Sequence, residues 1–374
     1  MKIGVDARNL VPSLSGIGRY VLETCRELGE RGHCLILYMP EKPRKPLPLL
    51  RNCEIRTFDF RGPLRRAIWS MTALPKAAND DNLDVFWGPA HRLPLGLSKQ
   101  IPSVVTIHDL VWQKAPATMR WQTWVGERLF MRSALKRATI IVADSQATAA
   151  DVVAFYQDAS SRISVVYPGL TQLSVDAVHA EAPIGCSTCH PYALFVGTLE
   201  PRKNLQRLLQ AFAALPTANR GALNLVIAGG QGWRMGDLTK MIDQYNLKDI
   251  VKLTGYVSDT QLASLYASAR FLLMPSLYEG FGLPIIEAQS FGIPVITSTT
   301  SSMPEVAARG ALLIDPLNVT ELARAIVRLN SDNELRQVLS SYAKENACRF
   351  SWQKTGQQLS LIFQIAGDHM SPSS

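Results

Sequence analysis

Short apolar runs alternate with amphipathic stretches along most of the chain. "MKIGVDA" (residues 1–7), "CLILYMP" (34–40), "LDVFWG" (83–88), "PSVVTIHD" (102–109) and "ATIIVADS" (138–145) read as buried strands. Residues 18–32 repeat apolar positions at helical spacing through Tyr20, Val21, Cys25 and Leu28. Residues 146–156 form another helix, with Ser145 as its N-cap. Such alternation predicts a parallel sheet with helices on both faces.

The pattern breaks over residues 165–191, which are rich in Pro, Gly and small side chains and read as a linker. A second alternation follows. "YALFVGT", "LNLVIAGG", "IVKLTGYV", "ARFLLMPS" and "GIPVITS" are strands, while "NLQRLLQAFAAL", "DTQLASLYASA", "PIIEAQSFG", "ELARAIVRLNSD" and "SWQKTGQQLSLIFQIAG" are helices. The expectation is an α/β protein of two Rossmann-like, doubly wound domains facing a cleft, over residues 1–170 and 191–350 with a linker at 171–190. A length of 374 residues, more than one core usually serves, agrees with two domains.

Composition narrows the classes. A hydrophobic content of 47% is that of a globular chain. No run is long and apolar enough to predict a transmembrane helix, and the first residues lack a signal-like apolar region. The expected location is the cytoplasm, or the cytoplasmic face of a membrane as a peripheral protein. Residues 1–170 carry 23 Lys and Arg against 15 Asp and Glu, an excess equal to the whole net charge of +8. A field concentrated in one half suits an anionic partner. Residues 64–69 and 119–138 mix Arg and Lys with Trp, Phe and Leu, a pattern suited to an anionic membrane surface or to helices with basic outer faces. The six cysteines should be reduced. The "CSTCH" run at 186–190 spells a haem-attachment pattern and half a zinc site, but it lacks an export signal and further ligands, so it reads as coincidence.

Five motifs carry chemistry, most of them just after a strand, where open α/β sheets bind ligands. Gly16 and Gly18 open the first helix and suit an anion at its N-terminus. His108 and Asp109 end a buried strand; His108 is placed to bond a sugar hydroxyl or shuttle a proton. Arg202 and Lys203 precede a helix and make a second anion site, strong enough for a diphosphate. Residues 255–257 end a strand whose main chain can meet a nucleobase, with Ser258 or Asp259 as the next N-cap. Finally, "SLYEGFGLPIIEAQSFGIPV" (276–295) places Glu279 in a loop and Glu287 on the following helix. Acids on such different elements suit two parts of one long ligand rather than a tight acid–base pair.

In combination and in this order, these motifs resemble those of the family 4 retaining glycosyltransferases of the GT-B fold, including the Glu-x7-Glu signature at Glu279 and Glu287. The resemblance implies retaining transfer from a nucleotide sugar without metal or other cofactor. It places Glu279 beside the donor sugar, with Phe281, Gly282 and Leu283 offering main-chain contacts. It puts Glu287 on the ribose, Lys203 on the diphosphate, Gly16 against the diphosphate from the other domain, His108 near the sugar, and the Val257 main chain at the base. A closing helix, here 351–370, completes the N-terminal domain. The chain has Gly197-Thr198-Leu199 where the family often has Gly-Arg-Leu, so Arg202 is expected to replace the missing cation. Mannosyltransferase-like members imply GDP-mannose as donor and a lipid-linked or saccharide acceptor in cell-surface glycan assembly, with no nucleic-acid partner. The alternatives are a nucleotide-sugar epimerase of the same fold, or a non-catalytic protein binding anionic lipid or nucleic acid through its basic half.

Overall fold

The computed structural model describes residues 1–11, 16–44, 46–48, 50–173, 191–216, 223–230, 232 and 238–368. The run at 186–190, residues 12–15 ahead of Gly16, and most of the predicted linker lie outside them. The chain divides into two compact units. One comprises Met1–Trp112, Trp121–Gly169 and Ser351–Ser374; the other comprises Gln113–Arg120 and Leu170–Phe350. The short Gln113–Arg120 segment thus groups with the second unit, although the chain on either side of it belongs to the first.

The first unit is built on seven parallel strands: β1 (Lys2–Asp6), β2 (Cys34–Met39), β3 (Cys53–Thr57), β4 (Val85–Gly88), β5 (Ser103–Ile107), β6 (Ile140–Ala143) and β7 (Ile163–Val165). Their order is β3-β2-β1-β4-β5-β6-β7. In register, Val5 of β1 sits between Leu37 and Trp87. β1 is buried from Ile3 to Asp6, as a strand covered on both faces must be. The chain steps one way from β1 to β3 and the other way from β4 to β7. With right-handed crossovers, the Gly16–Glu30 helix therefore lies on one face, and the Pro63–Met71 and Trp121–Arg137 helices lie on the other.

The final helix, Trp352–Asp368, packs on the Gly16–Glu30 helix. Its Trp352, Leu359, Ile362 and Phe363 join the core of Ile3, Val5 and Val21. Burying each such side chain contributes about 2 kcal/mol. A Cβ at Gly356 would lie 2.5 Å from Glu27 Cβ, so the helices approach this closely only with glycine there. Thr355 Oγ1 donates to the Tyr167 carbonyl at 2.8 Å.

The second unit repeats the plan with β8 (Tyr192–Val196), β9 (Asn224–Ala228), β10 (Val251–Gly255), β11 (Phe271–Met274), β12 (Val295–Ser298) and β13 (Ala311–Ile314), in the order β10-β9-β8-β11-β12-β13. Ser258 caps the Asp259–Ser268 helix through a reciprocal pair with Gln261. β3, β7 and β13 are absent from the sequence reading. β3 (CEIRT) and β7 (ISV) are sheet edges without a buried apolar run, and β13 (ALLI) exposes Leu313. In both sheets the strand order reverses direction beside the first strand, and the loops leaving that point form the crevice where such sheets bind ligands. In the second unit these are the loops after β8 and β11.

Candidate active site

The loop after β8 carries Arg202 and Lys203, and the loop after β11 carries Glu279. Asn204, in a left-handed conformation (φ 63°), ties the neighbouring loops together. Its amide donates to the carbonyls of Pro275 at 3.0 Å and Pro316 at 2.7 Å. The Leu277 amide donates to the Arg202 carbonyl at 2.8 Å. These bonds bring two loops far apart in sequence to one place.

Glu279 is buried there between two cations. Arg202 Nη1 lies 2.5 Å from Oε2, and Lys203 Nζ lies 2.6 Å from Oε1. Arg202 is held from its other side, since Nε donates to Glu200 Oε2 at 3.0 Å. Burial pushes the Glu279 carboxyl up, but the Arg202 and Lys203 charges outweigh it and bring the pKa down to about 2, from 4.5. Burial raises the Glu200 pKa, with Arg202 opposing. Glu279 is thus an ionised carboxylate fixed by both oxygens, the geometry of a group that must meet its ligand without reorganising.

The Glu279 loop is braced by hydroxyls. The Glu279 amide donates to Ser301 Oγ at 3.0 Å, and Ser302 Oγ lies 3.1 and 2.8 Å from the carbonyls of Glu279 and Phe281. Thr297, Ser298 and Thr300 donate to the carbonyls of Met274, Ser276 and Leu277. The sequence reading missed this ladder, whose signal is the hydroxyl run "TSTTSS" at 297–302. Gly282 takes φ 105° before the Leu283–Ser290 helix, a conformation that favours glycine. Phe281 is buried against Phe350, with ring centroids 5.5 Å apart.

Glu287 stands apart on that helix, half-buried, and accepts from the Tyr266 hydroxyl at 2.9 Å. Val257 follows β10, two strands from β8 and so about 10 Å across the sheet. Arg202, Lys203 and Glu279 are therefore in direct contact, while Val257 lies elsewhere on the rim and Glu287 is the fifth residue of the helix that leaves it.

In the first unit, His108 follows β5, between Pro89 after β4 and Asp144 after β6. Its Nδ1 lies 2.5 Å from Asp144 Oδ2, and its Nε2 lies 2.7 Å from the Pro89 carbonyl. Both neighbours are acceptors, so the site favours the ring with both nitrogens protonated. Burial pushes its pKa down, but Asp144 and the Pro89 carbonyl outweigh this and raise it. In this arrangement both nitrogens are engaged within the protein; to bond a sugar, Nε2 would have to exchange Pro89. Asp144 was unseen in the sequence. Gly16 is exposed at the first position of its helix, and Gly18 is buried at the third.

Among the described residues, no three His, Cys, Asp or Glu side chains converge to hold a metal ion. No described helix is long and apolar enough to cross a membrane.

The family described as "Glycosyltransferase Family 4" matches residues 14–171, and that described as "Glycosyl transferases group 1" matches residues 185–346. The chain is a glycosyltransferase that carries both of these family domains. It is 29% identical over 390 aligned positions to the O-antigen chain mannosyltransferase B of Escherichia coli, covering 96% of this chain and 98% of that protein. Among solved structures, this glycosyltransferase is similar to sucrose-phosphate synthase from Thermosynechococcus elongatus, with a TM-score of 0.79 and 20% identity over 99% of this chain and 100% of the other. It is also similar to WaaG, a glycosyltransferase involved in lipopolysaccharide biosynthesis, with a TM-score of 0.72 and 19% identity over 100% of both chains. The glycosyltransferase has the GT-B fold, with the Glu279 cluster in the part matched by the group 1 family and His108 in the part matched by family 4.

Proposed function

We propose that this glycosyltransferase moves mannose from GDP-mannose, with retention at the anomeric carbon and without a metal, onto a lipid-linked or saccharide acceptor in cell-surface glycan assembly. The observation that carries this reading is the buried Glu279 held between Arg202 and Lys203 where the strand order reverses. Breaking a sugar–phosphate bond builds negative charge on the leaving diphosphate. Two cations on a rigid loop stabilise that charge without reorganising. The choice of mannose rests on the mannosyltransferase relative, which aligns over nearly its whole length.

Thermal-shift measurements with GDP, UDP and ADP and their hexoses test the donor. Ligand at a hundred times its Kd stabilises the folded protein by about 2.7 kcal/mol. GDP-mannose should raise the melting temperature, and mannose should appear on an acceptor. Conversion of the donor without acceptor would instead indicate an epimerase. Binding of no nucleotide sugar would overturn the proposal.

The same reading places the basic half on an anionic membrane that presents the acceptor. Leu64, Ile68 and Met71 form an exposed apolar stripe on the Pro63–Met71 helix, as do Trp121, Val125 and Leu129 on the Trp121–Arg137 helix. Trp121 is 70% exposed, although such a side chain is normally covered. Exposed Arg128, Arg132 and Lys136 flank the second stripe, and the acid of that helix, Glu127, is turned inward onto Arg92 and His91. Each cation near an anionic surface contributes about 1 kcal/mol. The wild type should co-sediment with phosphatidylglycerol vesicles at low salt, and Arg128→Glu/Arg132→Glu should bind at least tenfold more weakly. Equal binding by both proteins would remove this surface from the reading.

A further inference from the structure

The loop after β4 folds tightly onto His108. A Cβ at Gly88 would lie 2.0 Å from the Arg92 carbonyl oxygen, so the turn closes only with glycine there. At its centre His91 is buried with φ 62°, a left-handed conformation that a histidine adopts at a cost of about 1–3 kcal/mol. Its amide donates to the Thr106 carbonyl at 2.9 Å. Its Nε2 accepts the His108 backbone amide at 2.9 Å. Because Nε2 accepts, Nδ1 carries the proton and faces Glu127 Oε2 at 3.1 Å. Glu127 Oε1 in turn accepts from Arg92 Nη2 at 2.7 Å.

A turn that needed only this backbone would be served better by glycine or asparagine. An imidazole adds something neither can: one nitrogen that accepts from the His108 amide while the other donates to a carboxylate on a separate helix. The His91 and His108 ring centroids are 5.4 Å apart, so the bracket sits directly beside the ring that Asp144 and Pro89 orient.

We propose that His91 is a positioning residue for His108, anchored through Glu127 on the Trp121–Arg137 helix and setting where the His108 backbone stands. The inference rests on the reading that His108 acts on the donor sugar. His91 itself touches no reacting atom. Its influence passes through the one backbone bond it accepts, whose loss would leave a buried amide without an acceptor.

His91→Gly relieves the left-handed strain while deleting the imidazole, and His91→Gln keeps an acceptor at the reach of Nε2. Two readouts separate positioning from stability. The first is hydrogen exchange at the His108 amide, which needs no substrate. It should rise about tenfold in His91→Gly and stay near wild type in His91→Gln. The second is turnover of GDP-mannose with acceptor. Here kcat should fall about tenfold in His91→Gly with little change in the donor KM, recover in His91→Gln, and show no further loss when His91→Gly is added to His108→Ala. Unchanged amide protection in His91→Gly overturns the proposal. So does an undiminished effect of His91→Gly in the His108→Ala background. If His108→Ala alone leaves turnover intact, the role of His108 falls and the positioning role falls with it. That outcome differs from an inactive His108→Ala beside a fully active His91→Gly, which removes His91 alone.

Discussion

Glu279→Gln should reduce the initial rate of glycosyl transfer about a thousandfold. That is the upper range for losing one preorganised electrostatic contact at a reacting centre. Glutamine keeps the side-chain shape and an acceptor for Arg202, but not the charge that Arg202 and Lys203 hold in place. Glu279→Ala is a different experiment. It leaves the buried Lys203 and half-buried Arg202 with Glu200 as the remaining carboxylate of the cluster. Breaking a buried pair in this way destabilises by about 3–5 kcal/mol. The alanine protein should therefore melt well below the glutamine one, and its inactivity would mix lost chemistry with lost structure. Transfer rates measured beside melting temperatures separate the two. A Glu279→Gln enzyme with wild-type rates would end the assignment of Glu279 to the reaction.

Acid should unfold this protein through a small number of identifiable carboxylates. Glu279 and Glu127 each titrate at about 2 in the folded protein, against an ordinary value of 4.5. For Glu127, burial again pushes upward, and His91 and Arg92 outweigh it. A depressed carboxylate contributes stability that is complete above the unfolded pKa and is lost as pH falls through the folded one. A difference of this size corresponds to about 3 kcal/mol for each group. Glu200, raised by burial, works in the opposite direction and is relieved by protonation. His108, raised above 6.5, adds stability that is complete below that value and fades as pH rises through its folded pKa. Melting temperatures should hence drop between about pH 4.5 and 2 and, more gently, on the alkaline side. The acid limb should flatten in Glu279→Gln and in Glu127→Gln. Because the two carboxylates lie in different units, their contributions should add. An acid limb unchanged by either substitution would show that other groups govern the transition.

Most strands legible in the sequence are covered on both faces, such as "CLILYM" and "FLLM", because burial writes a continuous apolar run; the edge strand β10, with Leu253 exposed, is the exception. β3 is built from Glu54, Arg56 and Thr57 at a sheet edge, where nothing forces that pattern. The site divides in a similar way. Glu279, Arg202 and His108 could be picked out because each follows a strand, and in this topology that position alone points to the ligand rim. Their partners could not. Arg202 looks from the sequence like a cation waiting for phosphate, yet it bonds a carboxylate 77 residues away. His108 looks like a free imidazole, yet Asp144 and Pro89 reach it from neighbouring strands. Such pairings depend on strand order, which local patterns do not encode. The hydroxyl ladder at 297–302 lies between these cases: its residue types are conspicuous, but the carbonyls it serves belong to another strand.

The return of the last helix to the first unit has a consequence for how the protein is made. Domains usually fold in the order in which they leave the ribosome. Here the first unit emerges early but lacks Trp352, Leu359 and Phe363 from its core until the Trp352–Asp368 helix emerges, whereas the second unit is complete once Phe350 has emerged. The half translated last can thus mature first. Its predecessor must meanwhile keep the side of the Gly16–Glu30 helix that carries Tyr20 and Glu27 without its cover until the last helix arrives, a period in which a holdase chaperone would find its natural client.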